Sequence, residues 1–204
     1  MRIHTFPLGP LETNCYLLVE GSEAVAIDPG GNPASLVQYL SANKLKLVAI
    51  LDTHLHFDHV LGNADLAAAT GAPIYANNLD DFLVRPELSG SRYGLPETPP
   101  FEHVQQEEGE LTLMGLACKV FHTPGHTPGS LSYYFPAAGA LFAGDVLFYR
   151  SVGRTDLPGG DFNTLRNAIR GKLFTLPPET VVYPGHGPAT TIGDEQRGNP
   201  FIGL

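Results

Sequence analysis

Apolar residues come in short runs along this chain, and turn-forming residues separate them. Cys15 to Val19 and Ala24 to Ile27 read as two strands joined by a tight hairpin turn at Glu20-Gly21-Ser22-Glu23. Asp28-Pro29-Gly30-Gly31 ends the second strand. Asn32 then serves as an N-cap with Pro33 at the first helical position, and Leu36, Val37 and Leu40 give the helix its apolar face. Leu47 to Leu51 is the next strand. Asn63 to Thr70 is an Ala-rich helix closed by Gly71. A short helix is expected near Asn78 to Val84, followed by a Pro-rich surface excursion. Strand signals return at Leu111 to Leu113, Leu116 to Phe121, Leu131 to Phe135 and Ala140 to Ala143. A helix over Phe162 to Leu173 places Leu165, Ile169 and Leu173 on one face, and Val181 to Tyr183 is a last short strand.

This mixed order of strands and inserted helices predicts an α/β protein, sheet packed on sheet with helices outside. The 204 residues suffice for one domain, and no Ser/Gly linker or charge block divides them, so residues 1–204 are read as a single domain. Twenty-three Gly and 18 Pro favour tight turns over long helices. The formal charge of −9 and the lack of a basic stripe argue against nucleic acid as a partner. No run of about 18 apolar residues is present, so no membrane span is expected. Met1 to Pro7 lacks a signal-peptide core, and Cys15 and Cys118 lie in apolar stretches as buried free thiols. Both features fit a cytoplasmic protein.

The chemistry concentrates in Thr53-His54-Leu55-His56-Phe57-Asp58-His59, with four ligand-type side chains in six residues. Imidazole and carboxylate suit zinc and other borderline divalent metals. In extended backbone His54, His56 and Asp58 point one way. In helical backbone His54 pairs with Asp58, and His56 with His59. His126, Asp145 and His186 each follow an apolar run and stand beside Gly125, Gly144 and Gly185. Loops at strand ends are where ligands converge, and glycine lets the backbone approach closely.

The ordered set Asp28, HxHxDH at 54–59, Thr-Pro-Gly-His126-Thr-Pro-Gly, Ala-Gly-Asp145 and Tyr-Pro-Gly-His186-Gly resembles the metallo-β-lactamase superfamily across nearly the whole chain. The resemblance implies an αββα sandwich holding two divalent ions, zinc foremost, with iron or manganese as alternatives. It implies that His54, His56 and His126 hold one ion, that Asp58, His59 and His186 hold the other, and that Asp145 bridges them. His126 rather than His122 takes the ligand role. Asp28 is implied to steady the 54–59 loop; a plain turn Asp before Pro29 is the alternative.

Within the superfamily, Gly144-Asp145-Val146-Leu147-Phe148, Ser151 to Asp156 and the ending through Asn199-Pro200-Phe201 are similar to small glyoxalase II-like proteins. That implies a small-molecule substrate, a glutathione thioester, cleaved by a metal-held hydroxide with Asp58 and Asp145 as catalytic groups. The helical C-terminal domain of glyoxalase II is missing, which leaves glutathione binding open. Arg154 is the implied substrate cation, with a salt bridge to Asp156 as its alternative. The same segment also resembles persulfide dioxygenases, iron enzymes on this fold, so an oxidoreductase is the competing activity. Metallo-β-lactamases proper are disfavoured because no Cys stands in a ligand motif, and a closed, non-enzymatic metal site is disfavoured by the open-site pattern. His4 is assigned to an N-terminal strand in a packing or surface role, and His103 to an exposed loop.

Overall fold

In the computed structural model, residues 1–202 are described. The chain forms two compact units, Met1–Gln106 with Thr112–Gly115, and Glu107–Leu111 with the chain from Leu116 onward.

The first unit holds a six-stranded sheet in the order β1 to β6. Its strands are β1 (Arg2–Leu8), β2 (Thr13–Glu20), β3 (Glu23–Ile27), β4 (Lys46–Leu51), β5 (Ile74–Ala76) and β6 (Val104–Gln105). β1, β2 and β3 pair antiparallel, and β3 through β6 run parallel. The Gly21-Ser22 turn closes the β2–β3 hairpin at Glu20↔Glu23, with Gly21 left-handed at φ 57°. Helices α1 (Ala34–Ala42), α2 (Phe57–Val60) and α3 (Asn63–Thr70) belong to this unit. Leu17, Val19, Ala24, Ala26 and Ile50 of the sheet pack with Leu36, Leu40 and Leu66 of the helices. The opposite-facing Leu18, Val25 and Ile27 are also buried, which is why these strands read as continuous apolar runs.

The second unit holds a six-stranded sheet in the order β14-β13-β10-β9-β8-β7 and a separate two-stranded ribbon, β11-β12. Its strands are β7 (Gly109–Leu113), β8 (Leu116–His122), β9 (Leu131–Phe135), β10 (Ala140–Gly144), β11 (Leu147–Phe148), β12 (Ser151–Val152), β13 (Val181–Pro184) and β14 (Thr190–Thr191). Helices α4 (Phe162–Gly171) and α5 (Ile192–Gly198) cover one sheet face, with Leu165, Ile169 and Ile192 meeting Leu141, Ala143 and Val182. β8 and β10 both run antiparallel to β9, and β13 runs parallel to β10. The C-terminal ends of β8, β10 and β13 therefore lie at one edge of this sheet.

Several sequence expectations shift in detail. α1 begins at Ala34, so Pro33 rather than Asn32 takes the capping position, while Asn32 Oδ1 accepts from Ala34 N at 2.9 Å one residue further out. The short helix expected near Asn78 to Val84 is present as a 3-10 helix, Asn78–Val84. α4 ends at Gly171, and Leu173 continues the buried face from a following 3-10 turn. Among the described residues no helix is long and apolar enough to cross a membrane. Both cysteines are free and buried, as expected.

Candidate metal centre

In the first unit, parallel pairing of β3 and β4 brings two loops to the same sheet edge. One starts at Asp28 and the other carries residues 52–60. Asp28 takes a left-handed conformation, φ 52°, which short polar side chains tolerate better than most. Its carboxylate is 2% exposed. It accepts from Thr53 N at 2.7 Å, from Thr53 Oγ1 at 2.7 Å and from His59 Nδ1 at 2.9 Å. Asp28 thus ties residues 53 and 59 to its own loop.

These contacts set the histidine tautomers. Because His59 Nδ1 gives its proton to Asp28, Nε2 is the basic nitrogen. Thr53 Oγ1 donates to Asp28 and so accepts from His54 Nδ1, 3.1 Å away, which again makes Nε2 basic. The turn into α2 starts at His56, whose extended backbone (φ −64°, ψ 142°) precedes the helical Phe57–Val60. The segment is therefore extended at its start and helical at its end, a mixture of the two backbone readings. The ring centroids of His54 and His56 lie 4.8 Å apart, and those of His54 and His59 lie 4.1 Å apart. Asp58 Oδ2 lies 3.7 Å from His59 Nε2 and accepts from Thr13 Oγ1 at 3.3 Å.

Two glycines let these loops meet backbone to backbone. A Cβ on Gly30 would fall 1.9 Å from the Asp58 carbonyl oxygen, and one on Gly62 would fall 2.2 Å from that of Gly31. Gly62 N also donates to Pro29 O at 2.7 Å.

In the second unit, His126, Asp145 and His186 follow β8, β10 and β13. Asp145 Oδ2 stands 3.7 Å from His126 Nε2 and 3.8 Å from His186 Nε2, so one carboxylate oxygen faces both imidazoles. Gly185 N donates to Gly144 O at 2.8 Å and ties the two loops together. His126 Nδ1 lies 2.8 Å from the Arg154 carbonyl, which only accepts, so His126 also presents Nε2 as the basic nitrogen. His122 is placed differently. Its Nε2 donates to the Pro128 carbonyl at 2.7 Å, and its own carbonyl accepts from Lys172 Nζ. It pins the loop that carries His126.

Arg154 forms a two-pronged ion pair with Asp156, at 2.7 and 2.8 Å, and both side chains are exposed. The Arg154 hydrogen bond holds the Asp156 carboxyl down to about 2. The salt-bridge alternative is therefore present in the structure. His103 is half-buried and paired with Asp81 at 2.9 Å, so the expectation of an exposed loop residue is corrected. His4 packs on Tyr39 and bonds its hydroxyl at 2.9 Å.

Sequence reasoning passed over Thr53, Asp80 and Gly153. Asp80 is fully buried and accepts from Leu55 N, between His54 and His56, at 3.4 Å. A Cβ on Gly153 would fall 1.8 Å from the Asp145 carbonyl and 3.2 Å from His126 Nδ1. Thr53 is the one with a readable signal, since a hydroxyl adjacent to a ligand block is a natural partner for a ring nitrogen.

The donor set fits divalent metal. Imidazole Nε2 atoms and carboxylates are the ligands that borderline ions take, and three of the rings are held by hydrogen bonds at Nδ1 in the way metal-binding histidines usually are. Asp28→Ala is expected to weaken metal binding by roughly 10–100-fold, the usual cost of losing such a support. Competition with a chromogenic chelator measures it, and unchanged affinity would rule out the supporting role.

The sequence profile of the Metallo-beta-lactamase superfamily matches residues 8–186. The chain is 39% identical to the probable metallo-hydrolase YqgX of Bacillus subtilis over 99% of this chain and 98% of that one. It is 39% identical to the hydroxyacylglutathione hydrolase GloC of Haemophilus influenzae, again over 99% and 98%. Among solved structures, the BLEG-1 B3 metallo-beta-lactamase superposes with a TM-score of 0.92 at 43% identity, covering 98% of this chain and 99% of that one. TTHA1623 in a di-iron-bound form gives 0.89 at 44%, covering 98% and 100%. ETHE1 from Myxococcus xanthus gives 0.82 at 30%, covering 99% and 84%. The chain belongs to the metallo-beta-lactamase superfamily, and its mixed α/β sheets carry that fold.

Proposed function

We propose that the protein is a dinuclear metal-dependent thioester hydrolase of the glyoxalase II type. It would convert an S-(hydroxyacyl)glutathione and water to glutathione and a hydroxy acid. The observation that carries this reading is full-length similarity to a hydroxyacylglutathione hydrolase, together with an intact His/Asp donor set. We assign His54, His56 and His126 to one ion, Asp58, His59 and His186 to the other, and Asp145 to both, with residues 1–204 acting as one catalytic domain. Zinc is the favoured metal, and the di-iron form of TTHA1623 makes iron the first alternative. When bound, such ions polarise a carbonyl and lower the pKa of water from about 15.7 toward about 7. Asp58, held by Thr13, orients the attacking water and receives its proton. The C–S bond breaks as the new C–O bond forms, and the thiolate departs without needing a strong general acid. The buried free thiols suit a reducing, cytoplasmic setting.

Arg154 is the cation we assign to a glutathione carboxylate. Its pair with Asp156 is exposed, and exposed pairs hold weakly, so a substrate carboxylate can take Asp156's place. Arg154→Ala is expected to raise KM for a glutathione thioester by roughly tenfold, about the worth of one hydrogen bond to a charged group, with a smaller effect on kcat. A thioester without a carboxylate should feel little. Equal losses on both substrates would leave Arg154 only its pair with Asp156.

A second reading has its own support. ETHE1 from Myxococcus xanthus is similar over 99% of this chain, and the Ser151 to Asp156 segment resembles persulfide dioxygenases. The similarity to BLEG-1, a B3 metallo-beta-lactamase, makes β-lactam hydrolysis a third activity to assay. One set of assays on purified protein separates the three: metal content by mass spectrometry, turnover of S-lactoylglutathione, oxygen uptake with glutathione persulfide, and hydrolysis of a chromogenic cephalosporin. Oxygen uptake with one iron per chain and no thioesterase activity would replace the proposal with the second reading.

A further inference from the structure

The C-terminal helix carries a buried carboxylate that the assigned chemistry does not use. Glu195, in α5, is fully buried and receives three donors. Arg150 N donates to Oε2 at 3.0 Å, Asn199 Nδ2 to Oε2 at 2.8 Å, and Thr190 Oγ1 to Oε1 at 2.6 Å. Asn199 Nδ2 also donates to Ser151 O at 3.0 Å. Two of these contacts reach the tip of the β11–β12 hairpin, whose strands pair Leu147↔Val152 and Phe148↔Ser151.

That tip is strained. Arg150 sits in the left-handed region, φ 55°, where a long side chain is unfavourable. Its guanidinium lies against Gly198, where a Cβ would come 1.2 Å from Nη1. Such a conformation persists only when its surroundings impose it, and Glu195, Asn199 and Gly198 are those surroundings. The hairpin has a further duty. It begins directly after Asp145 and leads through Gly153, which leaves no room between the Asp145 carbonyl and the His126 ring, to Arg154, whose carbonyl holds His126 Nδ1.

We propose that Glu195 is a positioning residue for His126, acting through the β11–β12 hairpin, so that the segment Thr190–Asn199 supports the metal centre. The proposal rests on the ligand role assigned to His126. Removing the carboxylate frees the Arg150 tip, which lets Arg154 O drift and loosens the His126 ring.

Glu195→Ala removes the acceptor, and Glu195→Gln is the rescue, because its amide oxygen can still receive Arg150 N and Asn199 Nδ2 while its NH2 donates to the Thr190 hydroxyl. Two readouts apply. In metal-free Glu195→Ala protein, the His126 Nδ1 proton resonance is expected to shift and to exchange faster with water. In metal-loaded protein, chelator competition is expected to show affinity lower by about tenfold, the low end of what lost supports cost. Glu195→Gln is expected to restore both. Leu36→Ala, fully buried in the core of the first unit, is the stability control. An unmoved His126 resonance in Glu195→Ala, or an equal affinity loss in Leu36→Ala, overturns the inference. Wild-type protein that binds no metal, with the His126 resonance still responding to Glu195→Ala, would instead remove the assigned metal chemistry and leave the mechanical link standing.

Discussion

Asp145→Ala is expected to abolish turnover while the protein stays folded. Its Oδ2 faces both His126 and His186 at 3.7 and 3.8 Å, and the proposed bridging role rests on that placement. Metals contribute several kcal/mol of charge stabilisation to such reactions, and each 1.4 kcal/mol is a factor of ten. Forfeiting about 4 kcal/mol therefore means roughly a thousandfold loss in kcat/KM. Circular dichroism checks the fold and mass spectrometry counts the metal. A variant that retains two ions per chain and full turnover would end the bridging assignment. Asp145 is also only partly buried, so replacing it leaves no large cavity, and loss of activity without loss of structure is the discriminating result.

The second large effect separates two histidines four residues apart. His126→Ala is expected to cost at least one bound ion and nearly all activity. His122→Ala should retain metal and lose stability instead, by about 1 kcal/mol for each hydrogen bond removed. The geometry gives the reason. His126 spends Nδ1 on the Arg154 carbonyl and keeps Nε2 basic, whereas His122 spends Nε2 on the Pro128 carbonyl. Metal loss confined to the His122 variant would reverse the assignment.

Much of this was readable from residues alone, and the reasons differ by element. β2, β3, β4, β9 and β10 were legible because burial on both faces makes them unbroken apolar runs bounded by Gly, Pro and Asp. The α3 stop at Gly71 was legible because a left-handed cap, φ 71°, calls for glycine. β5, β6, β11, β12 and β14 were not, since two or three residues hold no periodicity, and β5 and β6 also depend on partners distant in sequence. α5 hid because its inward-facing groups include Glu195, a charge that pattern reading assigns to solvent.

The donor residues were legible as a cluster of types at strand ends. The supports were not. Asp80 stands 25 positions from the amide it receives, and Gly153 matters for the side chain it lacks. Neither leaves a local pattern. Asp28 was half-legible: its place in the motif order was visible, but its three donors come from residues 53 and 59.

The contact of Gly30 and Gly62 with neighbouring carbonyls bears on how such a scaffold diversifies. Where backbone lies on backbone, there is no side chain whose size can be tuned, so inheritance at positions 28–31 and 58–62 is nearly all-or-nothing. Insertions and deletions must accumulate elsewhere, and the Pro-rich stretch from Arg85 to Pro100, with its short 3-10 turn and many exposed positions, can absorb them. Relatives of this chain should therefore differ in the length of that stretch while keeping both glycines.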